Sequence, residues 1–262
     1  MLDIFNLTGK IAIITGGYGH LGVAMVDSLV NFGAIVIVAG LSEEKFNARF
    51  KNYEEGKVLF KKCDILESNT FANTFKAVYD EFGKIDIVIN NATTAKGIDP
   101  EKINDEDWDF SIDAVLGSVH KSTREIIPYM KMQDFGKIIN ISSMYGIVSP
   151  DFKVYDGENC ERFLNPPHYG AAKAAILQLT RYYATYLGKY NIHVNSITPG
   201  PFPSIPTQME NPIFIERLKT KNPLGKIGKP EDLAGIIVLL SSNASDFITG
   251  QNFIVDGGWT IV

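Results

Sequence analysis

Residues 10–22 read KIAIITGGYGHLG. Positions 11–14 are apolar without a break, as in a strand buried on both faces rather than one alternating between core and solvent. Glycines follow at 16, 17, 19 and 22, and HLGVAMVDSLVNFG (20–33) has helical spacing and closes on a glycine. Strand, tight turn and helix in that order aim backbone N–H groups and the positive end of the helix at one point, where a phosphate fits. A glycine turn alone is only a turn; its place between a strand and a helix gives it weight.

The same rhythm extends along the chain. Apolar runs of strand length lie at 34–40, 58–65, 85–92, 136–143, 191–200 and 251–258. Helical segments lie at 68–83, 104–132, from about 169 onward, and at 230–242, where Pro230 suits a first helical position. Seven strands without alternation, separated by helices, predict an α/β chain: a Rossmann-type, doubly wound parallel sheet of about seven strands with helices on both faces. No repeat or linker interrupts it, so one domain over 1–262 is expected. Two stretches break the rhythm, an insertion near 148–168 and a proline-rich segment at 201–229, and both are expected to be loops on the substrate side.

Composition narrows the function classes. The chain has 262 residues, 45% hydrophobic, and a net charge of -5. No basic block exists to hold nucleic acid, and no apolar run reaches the ~18 residues of a membrane span. Cys63 and Cys160 form neither a CxxC nor a metal-ligand spacing, which fits a reducing compartment. No metal is expected. The N-terminus does not read as a signal peptide, and the expected location is cytoplasmic.

The stretch HYGAAKAAILQLTRYYA begins at His168 and sets Tyr169 four residues before Lys173. One helical turn puts both side chains on the same face. A free phenol has pKa ~10. A neighbouring ammonium favours the phenolate and moves the group toward general acid–base use. Taken alone, the pair reads more readily as an ordinary amphipathic helix carrying a surface lysine.

Taken together, these motifs resemble the single-domain short-chain dehydrogenase/reductase family over essentially the whole chain. Thr15, Gly16 and Gly22 match its TGxxxGxG turn, with Gly17, Gly19, His20 and Leu21 between them; His20 stands where the middle glycine is usual. Asp64 resembles the adenine-side acidic residue, with Ile65 beside it. Asn91 and Ala92 belong to NNAT, which resembles the family's NNAG element. Ser143 matches the catalytic serine, and Tyr169 and Lys173 the YxxxK pair. Pro199 and Gly200 resemble the loop over the nicotinamide, and Ser204 the hydroxyl that meets its carboxamide.

The resemblance implies an NAD(P)-dependent oxidoreductase that interconverts a ketone and a secondary alcohol. Ser143 is expected to hold the substrate oxygen, Tyr169 to exchange its proton, and Lys173 to bind the cofactor ribose. It also implies a homodimer or homotetramer through helices 104–132 and 169–189 and the last strand. The sequence leaves NAD or NADP open: Leu41 and Ser42 follow the second strand, where a carboxylate would select NAD and a cation NADP. The absence of a carboxylate at that tip favours NADP(H), while Glu43 and Glu44 just beyond oppose it.

Three features depart from the pattern. His20 puts a side chain beside the expected pyrophosphate path. Val115 occupies the position of an asparagine that organises a relay water. About thirteen residues near 150–166 separate Ser143 from Tyr169 beyond the family spacing. Tyr155 sits near the usual Ser-to-Tyr distance but has Asn159 four residues on, so Tyr169 is the better match. Within the insertion, Tyr155, Asp156, Glu158 and Arg162, together with His168, are candidates to bind a polar, sugar-like or sugar-acid substrate. Such an insertion also resembles relatives linked to bacterial surface-sugar pathways. Two alternatives stand beside this: a 3-oxoacyl-(acyl-carrier protein) reductase, and a cofactor-binding regulator that has lost catalysis.

Overall fold

The computed structural model describes residues 3–96, 99–156 and 164–262. Seven strands form one sheet: β1 (Ile11–Thr15), β2 (Ile35–Gly40), β3 (Val58–Lys62), β4 (Ile87–Asn90), β5 (Gly136–Ile141), β6 (Ile192–Pro199) and β7 (Asn252–Val255). Their spatial order is β3-β2-β1-β4-β5-β6-β7, and every pairing is parallel. The chain winds outward from β1 to β3, returns to the other side of β1, and winds outward again. The reversal between β1 and β4 leaves a crevice at the carboxyl ends of the strands, the usual ligand position in open α/β sheets.

The unbroken apolar runs have the predicted cause. Along β1, Ala12 and Ile14 pack into one core with Met25, Val26 and Leu29, while Ile11 and Ile13 pack into the opposite core with Phe71, Phe75 and Val78. The first face is covered by α1 (His20–Asn31), α2 (Glu43–Phe50) and α9 (Ala234–Ser241). The second is covered by α3 (Ser68–Phe82), α5 (Ser118–Met132) and α6 (Pro167–Leu187).

Several details differ from the sequence expectation. The predicted 104–132 helix is α4 (Asp105–Ile112) and α5 joined by a five-residue π-helical turn, Asp113–Gly117. A helix not foreseen, α2, follows β2; the Ser42 hydroxyl caps it by accepting from the Lys45 N–H. The proline-rich 201–229 segment is not wholly irregular. It holds α7 (Ile205–Glu210) and α8 (Pro212–Thr220), capped by Ser204 and Asn211, each with a proline in the first two positions. Proline tolerates that place because its missing N–H would find no helical partner there. Among the described residues no helix is long and apolar enough to cross a membrane.

Candidate active site

The crevice opens into a cavity of about 780 Å³, within the range of cofactor and substrate sites. Its first wall is the turn after β1. Gly16 has φ +64°, which a side chain rarely adopts. A Cβ on Gly22 would lie 2.5 Å from the Gly16 carbonyl oxygen, so α1 packs on its own turn only because residue 22 is glycine. Gly19 precedes α1 without a side-chain cap, Val23 N–H makes the first bond back to Gly19, and no acidic residue lies in the first turn. The N–H groups of His20, Leu21 and Gly22 therefore have no intrahelical partner.

His20 takes the middle-glycine position at negative φ, as the first residue of α1. Its Nε2 lies 3.1 Å from the Phe202 carbonyl, so the ring ties the turn to the 201–229 segment. Thr15 and Gly17 are buried beneath the turn rather than lining the cavity. The Thr15 hydroxyl accepts from the N–H groups of Asn91 and Ala92, both at 3.0 Å. The Asn91 amide returns bonds to the Thr15 and Gly16 carbonyls at 3.0 and 3.2 Å. This clamp fixes the ends of β1 and β4 across the reversal point.

The opposite wall holds Ser143, Tyr169 and Lys173. Ser143 leaves β5 in extended conformation, and its hydroxyl accepts from the Tyr145 N–H at 3.2 Å. The following short turn presses on α6 so closely that a Cβ on Gly146 would lie 2.8 Å from the backbone at Lys173. Ser142 Oγ donates to the Lys173 carbonyl at 2.8 Å. A buried ladder from Asn90 to Asn140 to Thr180, at 2.8 and 2.9 Å, anchors the same helix to β4 and β5.

Burial acts on the two titratable groups in opposite directions. Desolvation raises the Tyr169 phenol, opposed by its hydrogen bond with Ser143. Desolvation also lowers Lys173 to about 8. On balance the Tyr169 phenol is raised rather than lowered as expected: the ammonium lies 5.6 Å from the centre of the Tyr169 ring and donates to the Ile141 carbonyl at 2.8 Å.

Of the other candidates, His20, Leu41, Asp64, Ile65, Pro199 and Gly200 line the cavity. Ser42 and Ser204 do not; each caps a helix. Within the insertion, Tyr155 reaches the cavity, packs on Phe214 of α8, and joins its hydroxyl to that of Tyr145. Burial raises both of those phenols. Asp156 is exposed and engages Arg217 through its carbonyl, while Glu158 and Arg162 lie outside the described residues.

His168 is wholly buried and faces away, its Nε2 2.9 Å from the Lys96 carbonyl and its ring against Trp108. The reason is helical rotation: one residue turns the side chain by ~100°, which separates it from Tyr169. Sequence reasoning missed Tyr18, Phe110, Tyr145, Phe214 and Leu218, which line the cavity from distant segments. Val115 is buried with Val119, Ala172 and Ile176. Tyr169 itself packs against that cluster.

A family model described as enoyl-(acyl carrier protein) reductase matches residues 19–260. A 2-dehydro-3-deoxy-D-gluconate 5-dehydrogenase of Formosa agariphila is 34% identical over 98% of this chain and 95% of its own. A 3-oxoacyl-[acyl-carrier-protein] reductase of Thermotoga maritima is 31% identical over 98% of this chain and all of its own. The crystal structure of a gluconate 5-dehydrogenase from Burkholderia cenocepacia, in complex with NADP and tartrate, superposes with a TM-score of 0.87 at 27% identity, covering 100% of this chain and 99% of that one. The uncapped glycine turn on one wall, the Ser–Tyr–Lys group on the other and these full-length likenesses agree: the chain belongs to the short-chain dehydrogenase/reductase family of NAD(P)-dependent oxidoreductases.

Proposed function

We propose that this enzyme interconverts a ketone and a secondary alcohol on a small hydroxylated substrate of the sugar or sugar-acid class, within one dinucleotide-binding domain. The observation that carries the reading is the convergence of Ser143, Tyr169 and Lys173 on the cavity into which the uncapped turn of α1 opens. The likeness to dehydrogenases named for gluconate derivatives supports the substrate class.

The unpartnered N–H groups of His20, Leu21 and Gly22 suit the pyrophosphate, with Gly16 and Gly19 below them and Asn91, Ala92, Pro199 and Gly200 toward the nicotinamide. Asp64 and Ile65 lie at the adenine end. The bound nicotinamide supplies or accepts the hydride. In ketone reduction Ser143 Oγ holds the substrate oxygen, Tyr169 Oη donates the proton to it, and the Lys173 ammonium stabilises the phenolate left behind. In alcohol oxidation the phenolate takes that proton back. Thr15, Gly17, Ser42 and Ser204 act by holding backbone in place rather than by contact.

Cofactor absorbance measured against a panel of keto sugars, sugar acids and oxoacyl thioesters tests the proposal. Turnover confined to hydroxylated carbonyls is the expected result. A 3-oxoacyl substrate is the second reading, favoured by the apolar wall of Phe110, Met144, Phe214 and Leu218; preference for thioesters would establish it. Nucleotide binding without turnover of any of these would point to a regulator. We place the enzyme in the cytoplasm as a homodimer or homotetramer, in keeping with the exposed Met132, Tyr182 and Tyr186 on α5 and α6.

A further inference from the structure

The one aromatic residue in the glycine turn has no part in the chemistry above. Tyr18 leaves the turn toward β2 and lies against its last residue. A Cβ on Gly40 would meet the Tyr18 ring and hydroxyl at 2.6 Å, so the ring occupies the space a side chain at 40 would fill. The Tyr18 hydroxyl accepts two hydrogen bonds, from the N–H of Leu41 at 2.9 Å and of Ser42 at 3.2 Å. Those adjacent donors sit at the tip of β2, at the adenine end of the cavity, which Leu41 and Asp64 also line.

Two neighbouring N–H groups at a strand tip form a natural seat for an anion. Here the phenol already fills it. The Ser42 hydroxyl is held at the start of α2, where it accepts from the Lys45 N–H. Among the described residues lining the cavity, Lys173 is the one lysine or arginine, and it lies buried at the catalytic wall. Glu43 and Glu44 stand in the first turn of α2, with Lys45 next to them. A phosphate on the ribose 2′ oxygen would have to displace a hydrogen-bonded phenol, and among the described residues no lysine or arginine lines that end of the cavity to receive it. A plain ribose hydroxyl needs neither, and the Tyr18 O–H proton, unused by the two bonds it accepts, is available to it.

We infer that Tyr18 is the specificity-determining residue for the nucleotide, plugging the 2′-phosphate seat so that the enzyme takes NAD(H) in preference to NADP(H). This rests on the oxidoreductase reading above. It outweighs the argument from the missing strand-tip carboxylate, because exclusion here comes from an occupied seat rather than from a charge at position 41.

Calorimetric titration with NAD⁺ and NADP⁺, and with the fragments 5′-AMP and 2′,5′-ADP, reads the inference without any substrate. The wild-type enzyme is expected to bind the 2′-hydroxyl form of each pair at least about tenfold more tightly. Tyr18→Ser, which opens the seat and frees both N–H groups, is expected to move that ratio about tenfold or more toward the 2′-phosphate form. Tyr18→Phe keeps the packing on Gly40, guards against a folding defect, and is expected to move it less. Wild-type protein that binds NADP⁺ as tightly as NAD⁺, or variants that leave the ratio unchanged, would overturn the plug while leaving the family chemistry intact. Failure of both nucleotides to bind wild-type protein would overturn the oxidoreductase reading itself, and the plug with it.

Discussion

Lys173→Met should make the protein more stable while ending its catalysis. The ammonium is buried, and desolvation lowers its pKa from 10.5 to about 8. At ~1.36 kcal/mol per pKa unit, holding that charge in the fold costs about 3 kcal/mol near neutral pH. Methionine removes the cost but leaves the Ile141 carbonyl without its donor, which returns about 1–2 kcal/mol. The net gain is about 1–2 kcal/mol, or a rise in Tm of roughly 2–8 °C for a chain of this size. Its pH dependence identifies its origin. Because the folded value lies below the unfolded one, the unfolded wild-type chain holds the extra proton between about 8 and 10.5, and wild-type stability rises with pH across that window. The advantage of the variant should be full below about pH 8 and gone by the upper limit. Thermal unfolding of both proteins by circular dichroism, from neutral pH to about pH 10.5, measures it. A variant less stable at neutral pH, or an advantage that stays flat across the window, refutes the assignment of buried charge.

Four substitutions probe the rest of the site. Tyr169→Phe removes the proton donor and should lower kcat about 10²–10⁴-fold with nucleotide affinity unchanged, as read by steady-state kinetics beside a binding titration; full activity would remove the phenol from the mechanism. Gly22→Ala forces a Cβ to 2.5 Å from the Gly16 oxygen, whereas Gly19→Ala meets only a 3.1 Å contact with that same oxygen, so the first should weaken nucleotide binding about tenfold more than the second. Val115→Asn puts an amide into the cluster of Val119, Ala172 and Ile176, and the unpaired group should cost about 1–3 kcal/mol; a gain in turnover without loss of Tm would show that an amide at 115 finds a partner and serves the reaction.

Local patterns carried the sheet, and distant contacts carried what sequence reading lost. The central strands were legible because they are buried on both faces and read as unbroken apolar runs, whereas the edge strands β3 and β7 are only partly buried and stood out by their place in the rhythm. Helix α2 was not, since only Phe46 and Phe50 of its residues are buried; the sign available was Ser42 before two acids, a helix-start pattern. Pro206 and Pro212 suggest irregularity when taken alone, yet each lies in the first two positions of a helix just after its capping residue, where proline belongs. Ser143, Tyr169 and Lys173 were legible from spacing. Tyr18 and Phe214 were not, because nothing local shows that one ring will lie on Gly40 and the other under Tyr155. His168 misled for the opposite reason: it is next to Tyr169 in sequence and turned away from it in space.

The catalytic corner joins a phenol pushed up by burial to an ammonium pushed down by it, and this sets a pH profile. In ketone reduction Tyr169 must start protonated, and a raised pKa secures that through neutral pH. Proton donation leaves a phenolate, whose nearby stabilising charge is Lys173, 5.6 Å from the ring centre. That charge is lost as pH passes about 8. Reduction should therefore be insensitive to pH on the acid side of about 8 and fall above it. Alcohol oxidation starts from the phenolate, so its rate should climb with pH until loss of the Lys173 proton removes the charge that makes the phenolate accessible. The two directions thus share an alkaline boundary and differ only below it. Stopped-flow pH profiles in both directions measure this. A reduction rate that holds steady to about pH 10 would show that the buried ammonium does not support the proton donor.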